Sequence, residues 1–173
     1  MSNYILELKW RCSINHPYKI VITDDGGRSI REVFSMPASE TVTYHTLGLT
    51  YSSKHNVIVS LVGRNDGYKL LDRPFGKVLP VSPERYGDNE SILIISWDDG
   101  ETWDIAQRIP LPKPQHSDSM MGGGLEVGDD IFFPRHICTT NQKGDQWRMI
   151  IYLARLRLIP QSDGSFRCDY EPK

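Results

Sequence analysis

The sequence predicts an all-β fold: an antiparallel β-sandwich or partly closed barrel built from hairpins, with a small propeller-like arrangement as the alternative. Three observations predict it. Aspartate–glycine pairs at 25–26, 66–67, 99–100 and 163–164 punctuate the chain with turn signals. Between them lie short segments where apolar and polar residues alternate, the period of a half-buried strand. The unbroken run Ile92-Leu93-Ile94-Ile95 is rich in β-branched residues, as expected for a strand covered on both faces.

Tyr4 to Arg11 alternates, with Tyr4, Leu6, Leu8 and Trp10 on one face. Asn15-His16-Pro17 breaks it, and Tyr18 to Ile22 resumes with Tyr18, Ile20 and Ile22 on one side. Residues 23–30 read as a turn and Arg31 to Ser35 as the returning strand. Thr41 to Leu49 has an extended pattern. In Asn56 to Val62, Val57, Val59 and Leu61 face one way. Asn65-Asp66-Gly67 reads as the next turn, Tyr68 to Leu71 as its return, and 74–89 as a long connection rich in Pro and Gly.

Ser91 to Ile105 reads as strand, tight turn and strand. A type I′ turn at Asp99-Gly100 needs positive φ at both central positions, which Asp tolerates and Gly adopts at little cost. With a two-residue loop, Trp97 lies opposite Thr102 and Ser96 opposite Trp103, whose indole N–H seeks an acceptor. Pro110, Pro112 and Pro114 exclude regular strand interior. Gln115 to Gly124 reads as loop, so the chain is a single β-rich domain over 1–173 with a long proline/glycine-rich loop at about 110–130. Glu126 to Pro134 suggests a hairpin turning near Gly128-Asp129, Arg135 to Thr139 is extended, and Gly144-Asp145 turns. In Trp147 to Ile159 the Arg/Leu alternation favours a strand over the competing helix. It sets Ile150, Tyr152, Ala154, Leu156 and Leu158 on one face and Met149, Ile151, Leu153, Arg155 and Arg157 on the other. Ser162-Asp163-Gly164 then turns it, and Ser165 to Tyr170 pairs back.

Ser96-x-Asp98-x-Gly100-x-Thr102-Trp103 resembles the Asp-box hairpin of sialidase-type (BNR) repeats, with every position of the motif filled. The resemblance covers this hairpin alone. It implies that Ser96, Asp98, Gly100, Thr102 and Trp103 hold a turn on the outside of a fold; it does not imply catalysis there. Sialidases carry several such boxes on a large propeller, with an arginine cluster, a Tyr nucleophile and acidic partners. Laid on this motif, Thr23, Asp25, Gly27 and Ser29 match, and Ile30 replaces the Trp. That stretch reads either as a degenerate second copy or, the favoured reading, as another hairpin that found the same turn chemistry.

A chain of 173 residues is of single-domain size. It can bury roughly 70% of its unfolded surface, so it needs no metal or disulfide to fold. The formal net charge of −2 gives no global attraction to nucleic acid or an anionic membrane. Cys12, Cys138 and Cys168 are too few and too scattered for a disulfide framework, which points to a cytoplasmic setting. The expectation is also of no signal peptide and no membrane span.

Chemistry concentrates around the proline-flanked loop. His116, Asp118 and Glu126, with Arg135 and His136 downstream, are the candidate catalytic residues, because a His with nearby carboxylates serves general acid–base chemistry. His136 and Cys138 share a strand face and with His116 resemble part of a zinc site, but no metal-binding spacing supports one and none is expected. The triple glycine 122–124 lacks the ending of a phosphate loop, so no cofactor is expected. Arg148, Arg155 and Arg157, with Lys9, Arg11, Trp10 and Trp147, resemble a single-strand-binding patch. The expected function is a non-enzymatic binding or protein-interaction module, with a protein partner or a homo-oligomer. The alternatives are a small hydrolase of glycan or RNA using the 116–136 region, and single-stranded nucleic-acid binding through the Arg-rich strand.

Overall fold

The structure is a computed structural model. It describes residues 4–8, 17–37, 42–45, 49–66, 89–111, 115–120, 123–140 and 147–172. Side chains are described for all of these except 4–8, 43, 45, 66, 115–120, 136–140, 147–149 and 172.

Every described regular element is a strand. The first sheet has the order β1 (Tyr4–Leu8), β2 (Tyr18–Thr23), β3 (Arg31–Met36). The middle sheet is built on β6 (Val57–Asp66), β7 (Glu90–Ser96) and β8 (Asp104–Pro110). The short strands β4 (Val42–His45) and β5 (Thr50–Ser52) share the outer edge of β6. In the third sheet, β11 (Asp130–Thr140), β12 (Trp147–Pro160) and β13 (Phe166–Pro172) run side by side. Here β9 (Gln115–Met120) and β10 (Leu125–Val127) share the outer edge of β11. All pairings are antiparallel, and no described sheet closes on itself, so the barrel reading is set aside.

The apolar run in β7 explains how the sheets meet. Side chains alternate across a strand. Leu93 and Ile95 join Val57, Val59 and Leu61 of β6 against Ile131, Phe133, Ala154, Leu156 and Leu158 of the third sheet. Ile92 and Ile94 point the other way and pack with Val62 and Trp103 against Tyr18, Ile20 and Met36 of the first sheet. The middle sheet is thus covered on both faces, and each of its fully buried aliphatic side chains is worth roughly 1.5–3 kcal/mol. The same alternation fixes β12: Ala154, Leu156 and Leu158 are buried while Ile151 and Leu153 are exposed, and the helix alternative falls.

Four differences from the sequence reading have physical causes. Residues 115–120, expected as loop, form β9, because pairing with β11 satisfies the backbone whatever the side-chain polarity. With β10 at Leu125–Val127, the loop expected at about 110–130 is largely strand. Asn65 and Asp66, expected to turn, lie inside β6, where pairing with Thr43 and Val42 overrides local turn preference. The ladder between β7 and β8 stops at Ile95 opposite Asp104, so Trp97 and Thr102 lie in a loop and not in a two-residue hairpin. Strand β5 was not anticipated; three residues are too few to show a period. The expected elements at 9–11, 67–71, 74–88 and 144–145 lie outside the described residues.

Candidate functional site

The turn-bearing end of the stack is built from carboxylates. In the 96–103 loop, Asp99 and Gly100 have φ of 58° and 90°, the positive values that the Asp-Gly pair predicted. The Glu101 N–H closes the turn on the Asp98 carbonyl at 3.2 Å. Asp98 accepts from the Ser96 hydroxyl (3.0 Å), the Thr102 N–H (2.8 Å) and the Thr102 hydroxyl (2.6 Å). The Gly100 N–H donates to the Ser96 hydroxyl at 2.8 Å. The buried Trp103 indole finds its acceptor in the Gly100 carbonyl at 2.9 Å. Hydrogen bonds from Thr102, then Ser96, stabilise the ionised carboxyl and lower its pKa.

Residues 23–30 repeat the four side-chain bonds of this network. Asp25 accepts from the Thr23 hydroxyl (3.0 Å), the Ser29 N–H (2.9 Å) and the Ser29 hydroxyl (2.7 Å), and the Gly27 N–H donates to Thr23 at 2.8 Å. Gly26 and Gly27, at φ 74° and 89°, stand where Asp99 and Gly100 stand. The Ser29 N–H and hydroxyl hold the Asp25 carboxyl down at about 2. The flanking strands also correspond. The β2–β3 ladder shifts register between Ile20 and Val21, and the β7–β8 ladder between Leu93 and Ile94, the matching positions when Thr23 is laid on Ser96. The two turns differ at the last position, where Ile30 is exposed and Trp103 is buried. The two turns meet through an Arg31–Glu101 ion pair at 2.6 Å.

A third carboxylate joins the middle sheet to the third. Glu126 on β10 lies opposite Ile131, which sends its side chain toward the middle sheet. There it accepts from the Ser52 hydroxyl (2.5 Å), the Ser53 hydroxyl (2.7 Å) and the backbone N–H groups of Ser53 (3.0 Å) and Lys54 (3.4 Å). These bonds, Ser52 first, hold its carboxyl at about 2. Lys54 pairs with Asp129 beside it. The Gly124 N–H donates to the Thr50 hydroxyl at 2.5 Å. Trp97 stacks on Phe166 with ring centroids 4.7 Å apart, and His55 meets the same ring edge-on at 5.4 Å.

The end away from the turns carries arginines. Glu90 receives Arg108 at 2.5 Å and Arg64 at 3.6 Å, and burial raises the pKa of neighbouring Tyr44. Arg135 is fully buried between the middle and third sheets. It donates to the Tyr170 hydroxyl at 2.6 Å and the Ser91 hydroxyl at 3.1 Å, with its guanidinium 5.8 Å from the Tyr170 ring centre.

These placements locate the sequence-derived candidates. Glu126 and Arg135 each hold one part of the structure to another, and Arg135 is closed off from solvent. His116 and Asp118 lie on β9 and His136 on β11; register sets His116 opposite Cys138, Asp118 opposite Ile137 and Ser119 opposite His136. The two histidines therefore occupy neighbouring strands. Glu126 pairs near the start of β11, roughly 15–25 Å away along the strand. The side chains of His116, Asp118, His136 and Cys138 lie outside the described residues, as do Cys12 and Lys9 to Arg11. Among the described residues, no group of three His, Cys, Asp or Glu side chains is placed to hold a metal ion. Cys168 is a free thiol whose burial pushes its pKa up to about 11, an unreactive setting.

Arg155 and Arg157 of β12 are paired within their own sheet, and the side chains of Trp147 and Arg148 lie outside the described residues. Arg155 meets Glu171 at 2.8 Å and Asp169 at 3.6 Å, and Arg157 meets Asp130 at 2.7 Å. The sequence reading did not single out the apolar half of that same outer face. Leu125 and Val127 are 67% and 54% exposed, and Ile151 and Leu153 are 65% and 51% exposed. Cross-strand pairing places Leu125 beside Phe132 and Pro134 beside Leu153, so the row is continuous across β10, β11 and β12. The available signal was the second face of β12, where Ile151 and Leu153 precede the arginines.

The chain is thus an all-β protein of several antiparallel sheets. No protein-family profile, no curated protein and no solved structure matches it. Among the described residues, no helix is long and apolar enough to cross a membrane.

Proposed function

We propose that this chain is a non-enzymatic protein-interaction module whose working surface is the outer face of its third sheet. The carrying observation is the row Leu125, Val127, Ile151 and Leu153, each more than half exposed and joined by strand pairing into one patch. Large contiguous apolar patches on soluble domains mark interaction sites. The propeller-like alternative suits this reading best. Two sheets carry the same Asp-box-like turn with the same register shift, and the middle sheet packs face on face with a neighbour on each side. A stack of repeated units grows by covering one face with the next. Asp25, Asp98 and Glu126 are committed to backbone and hydroxyl donors, which favours scaffold over catalysis.

The test is a direct assay for the competing activities. The purified protein, given a synthetic glycoside and a single-stranded RNA, is expected to turn over neither and to show no salt-sensitive RNA binding. Turnover abolished by H136A replaces the module with a hydrolase. RNA binding that weakens with salt and disappears in R155A/R157A replaces it with a nucleic-acid binder.

A further inference from the structure

We propose that the chain accepts one more strand: the outer edge of β1 takes a short extended peptide of a partner protein, in the place that β5 holds on β6. This edge is separate from the third-sheet patch and does not rest on it. Three observations point to it.

The first is register. With Thr23 laid on Ser96, the first and middle sheets match strand by strand. Tyr4 opposite Thr23 and Ile5 opposite Ile22 correspond to Ile58 opposite Ser96 and Val59 opposite Ile95. Leu8 opposite Lys19 corresponds to Val62 opposite Ile92, so β1 holds the position of β6 along its length. On β6 the outer edge is filled by β4 and β5, two short pieces, and on β11 by β9 and β10 in the same manner. Among the described residues, β1 is the last strand of its sheet, and nothing stands beside Tyr4 and Ile5 where β5 stands beside Ile58 and Val59. The unpaired backbone groups of an edge strand are a template for another strand.

The second is an exposed ring. The central residue of β5 and of β10 faces the preceding sheet. Glu126 lies opposite Ile131 and reaches the Ser52 and Ser53 hydroxyls at the end of β5. Tyr51 lies opposite Ile58, which packs against the core between the first and middle sheets. Yet Tyr51 is 53% exposed, and its hydroxyl bonds back to Asn56 of its own turn at 2.8 Å. By the matching geometry, the strand that Tyr51 would meet is the one beside β1.

The third is space. β9 lies against β4 and β6, so the strands that fill these edges sit where neighbouring sheets come together. A single backbone, about 4.8 Å wide in a sheet, fits such a place, whereas a second copy of this chain would bring a whole sheet with it.

The matching strand also sets the chemistry of the peptide. Thr50 and Ser52 are buried, face the third sheet and meet the Gly124 N–H and the Glu126 carboxylate. The incoming peptide therefore runs antiparallel to β1, with small hydroxyl-bearing side chains at the alternate positions that face the middle sheet and Tyr51. Main-chain bonds supply its affinity and those alternate side chains its specificity.

A labelled synthetic peptide of residues 41–56, the stretch that fills the edge of β6, is the probe for the full chain. Fluorescence anisotropy is expected to show saturable binding, weaker by roughly 10-fold or more for a scrambled peptide and for Y51A, a variant checked for wild-type melting. Hydrogen exchange is expected to slow within Tyr4–Leu8 when the peptide is present and to stay unchanged in β6. If Y51A does not fold, exchange in the wild-type chain decides. No saturable binding, equal binding of the scrambled peptide, or a folded Y51A that binds like wild type overturns the acceptor edge. Protection confined to β6 also overturns it, because the peptide has then displaced β5. So do β1 amides that are as slow as those of β2 without any peptide, since the edge is then filled by this chain itself or by a second copy.

Discussion

Replacing Asp98 by alanine removes one carboxylate from a turn whose other parts stay in place. Its three donors then fare differently. The Ser96 hydroxyl is fully buried, and without the 3.0 Å bond to Asp98 it faces no water; a buried donor left unmade costs about 1–2 kcal/mol. The Thr102 N–H and hydroxyl are exposed and rehydrate, for a few tenths of a kcal/mol each, together about 0.5 kcal/mol. The loosened turn also carries the acceptor of the Trp103 indole, whose ring packs into the core with Tyr18 and Ile92; partial loss of that seating adds about 0.5–1 kcal/mol. The expected total is about 2–3.5 kcal/mol, a fall in melting temperature of about 4–14 °C for a chain of this size. Asp25→Ala is the internal control. It breaks the same three kinds of bond, but the residue at the indole's position is Ile30, 55% exposed, so no core side chain follows the turn. Thermal and urea unfolding of both variants should rank Asp98→Ala clearly above Asp25→Ala. Equal losses, or a loss at Asp98 below about 0.5 kcal/mol, would show that the turn is not coupled to the core.

The other expectations use the same measurements. Glu126→Ala strips the acceptor from buried Ser52 and exposed Ser53 and should cost about 2–3 kcal/mol, whereas Lys54→Ala, in an exposed ion pair, should cost under about 1 kcal/mol; similar values for the two would show that Glu126 does not tie the middle sheet to the third. Gly124→Ala brings a methyl group to 2.7 Å from Phe133 Cε1 and 2.9 Å from Ile131 Cγ2, both buried, so overpacking of about 1–3 kcal/mol is expected; a neutral result would mean that the ring yields. Acid should unfold the protein through its turns. Asp25 and Glu126 sit at about 2 against ordinary values of 3.8 and 4.5, and Asp98 and Asp163 are lowered too. Groups with depressed folded pKa values stabilise above their unfolded values and lose that contribution as pH falls through the folded ones. Stability should therefore decline from about pH 4.5 down to about 2, with a shallower slope in Glu126→Gln; an unchanged slope would count against Glu126 as a contributor.

Much of the scaffold was legible because its signals are local. Positive φ at Asp99, Gly100, Gly128 and Gly164 follows from residue type, and alternation placed the faces of β6 and β12 before any contact was known. What escaped depends on partners distant in the chain. The strand Gln115–Met120 is polar throughout most of its length, and only β11 makes it a strand. Asn65 and Asp66 have turn chemistry, but β4 supplies their ladder. Glu126 and Arg135 stood among the catalytic candidates. Their roles are set by Ser52, Ser53, Ser91 and Tyr170, none close enough in sequence to reveal the contact. The 23–30 turn is the converse case. Its side chains matched the 96–103 turn at the bonding positions, and the hydrogen bonds follow those positions despite the missing tryptophan.

The state of the carboxylates bears on what kind of work this fold can do. A general acid or base is most effective with a pKa near the working pH. Asp25 and Glu126 are held at about 2 and Asp98 is lowered, each by donors that favour the ionised form. Protonating any of them weakens the bonds that organise its turn, so a proton cycled there loosens the structure. The same bonds that make the turns rigid therefore withdraw these residues from acid–base chemistry. Arg155 and Arg157 are withdrawn in the same way by Glu171, Asp169 and Asp130. On the outer face of the third sheet, Leu125, Val127, Ile151 and Leu153 stand exposed beside these pairs, and burying them is worth roughly 25 cal/mol for each Å² taken from water.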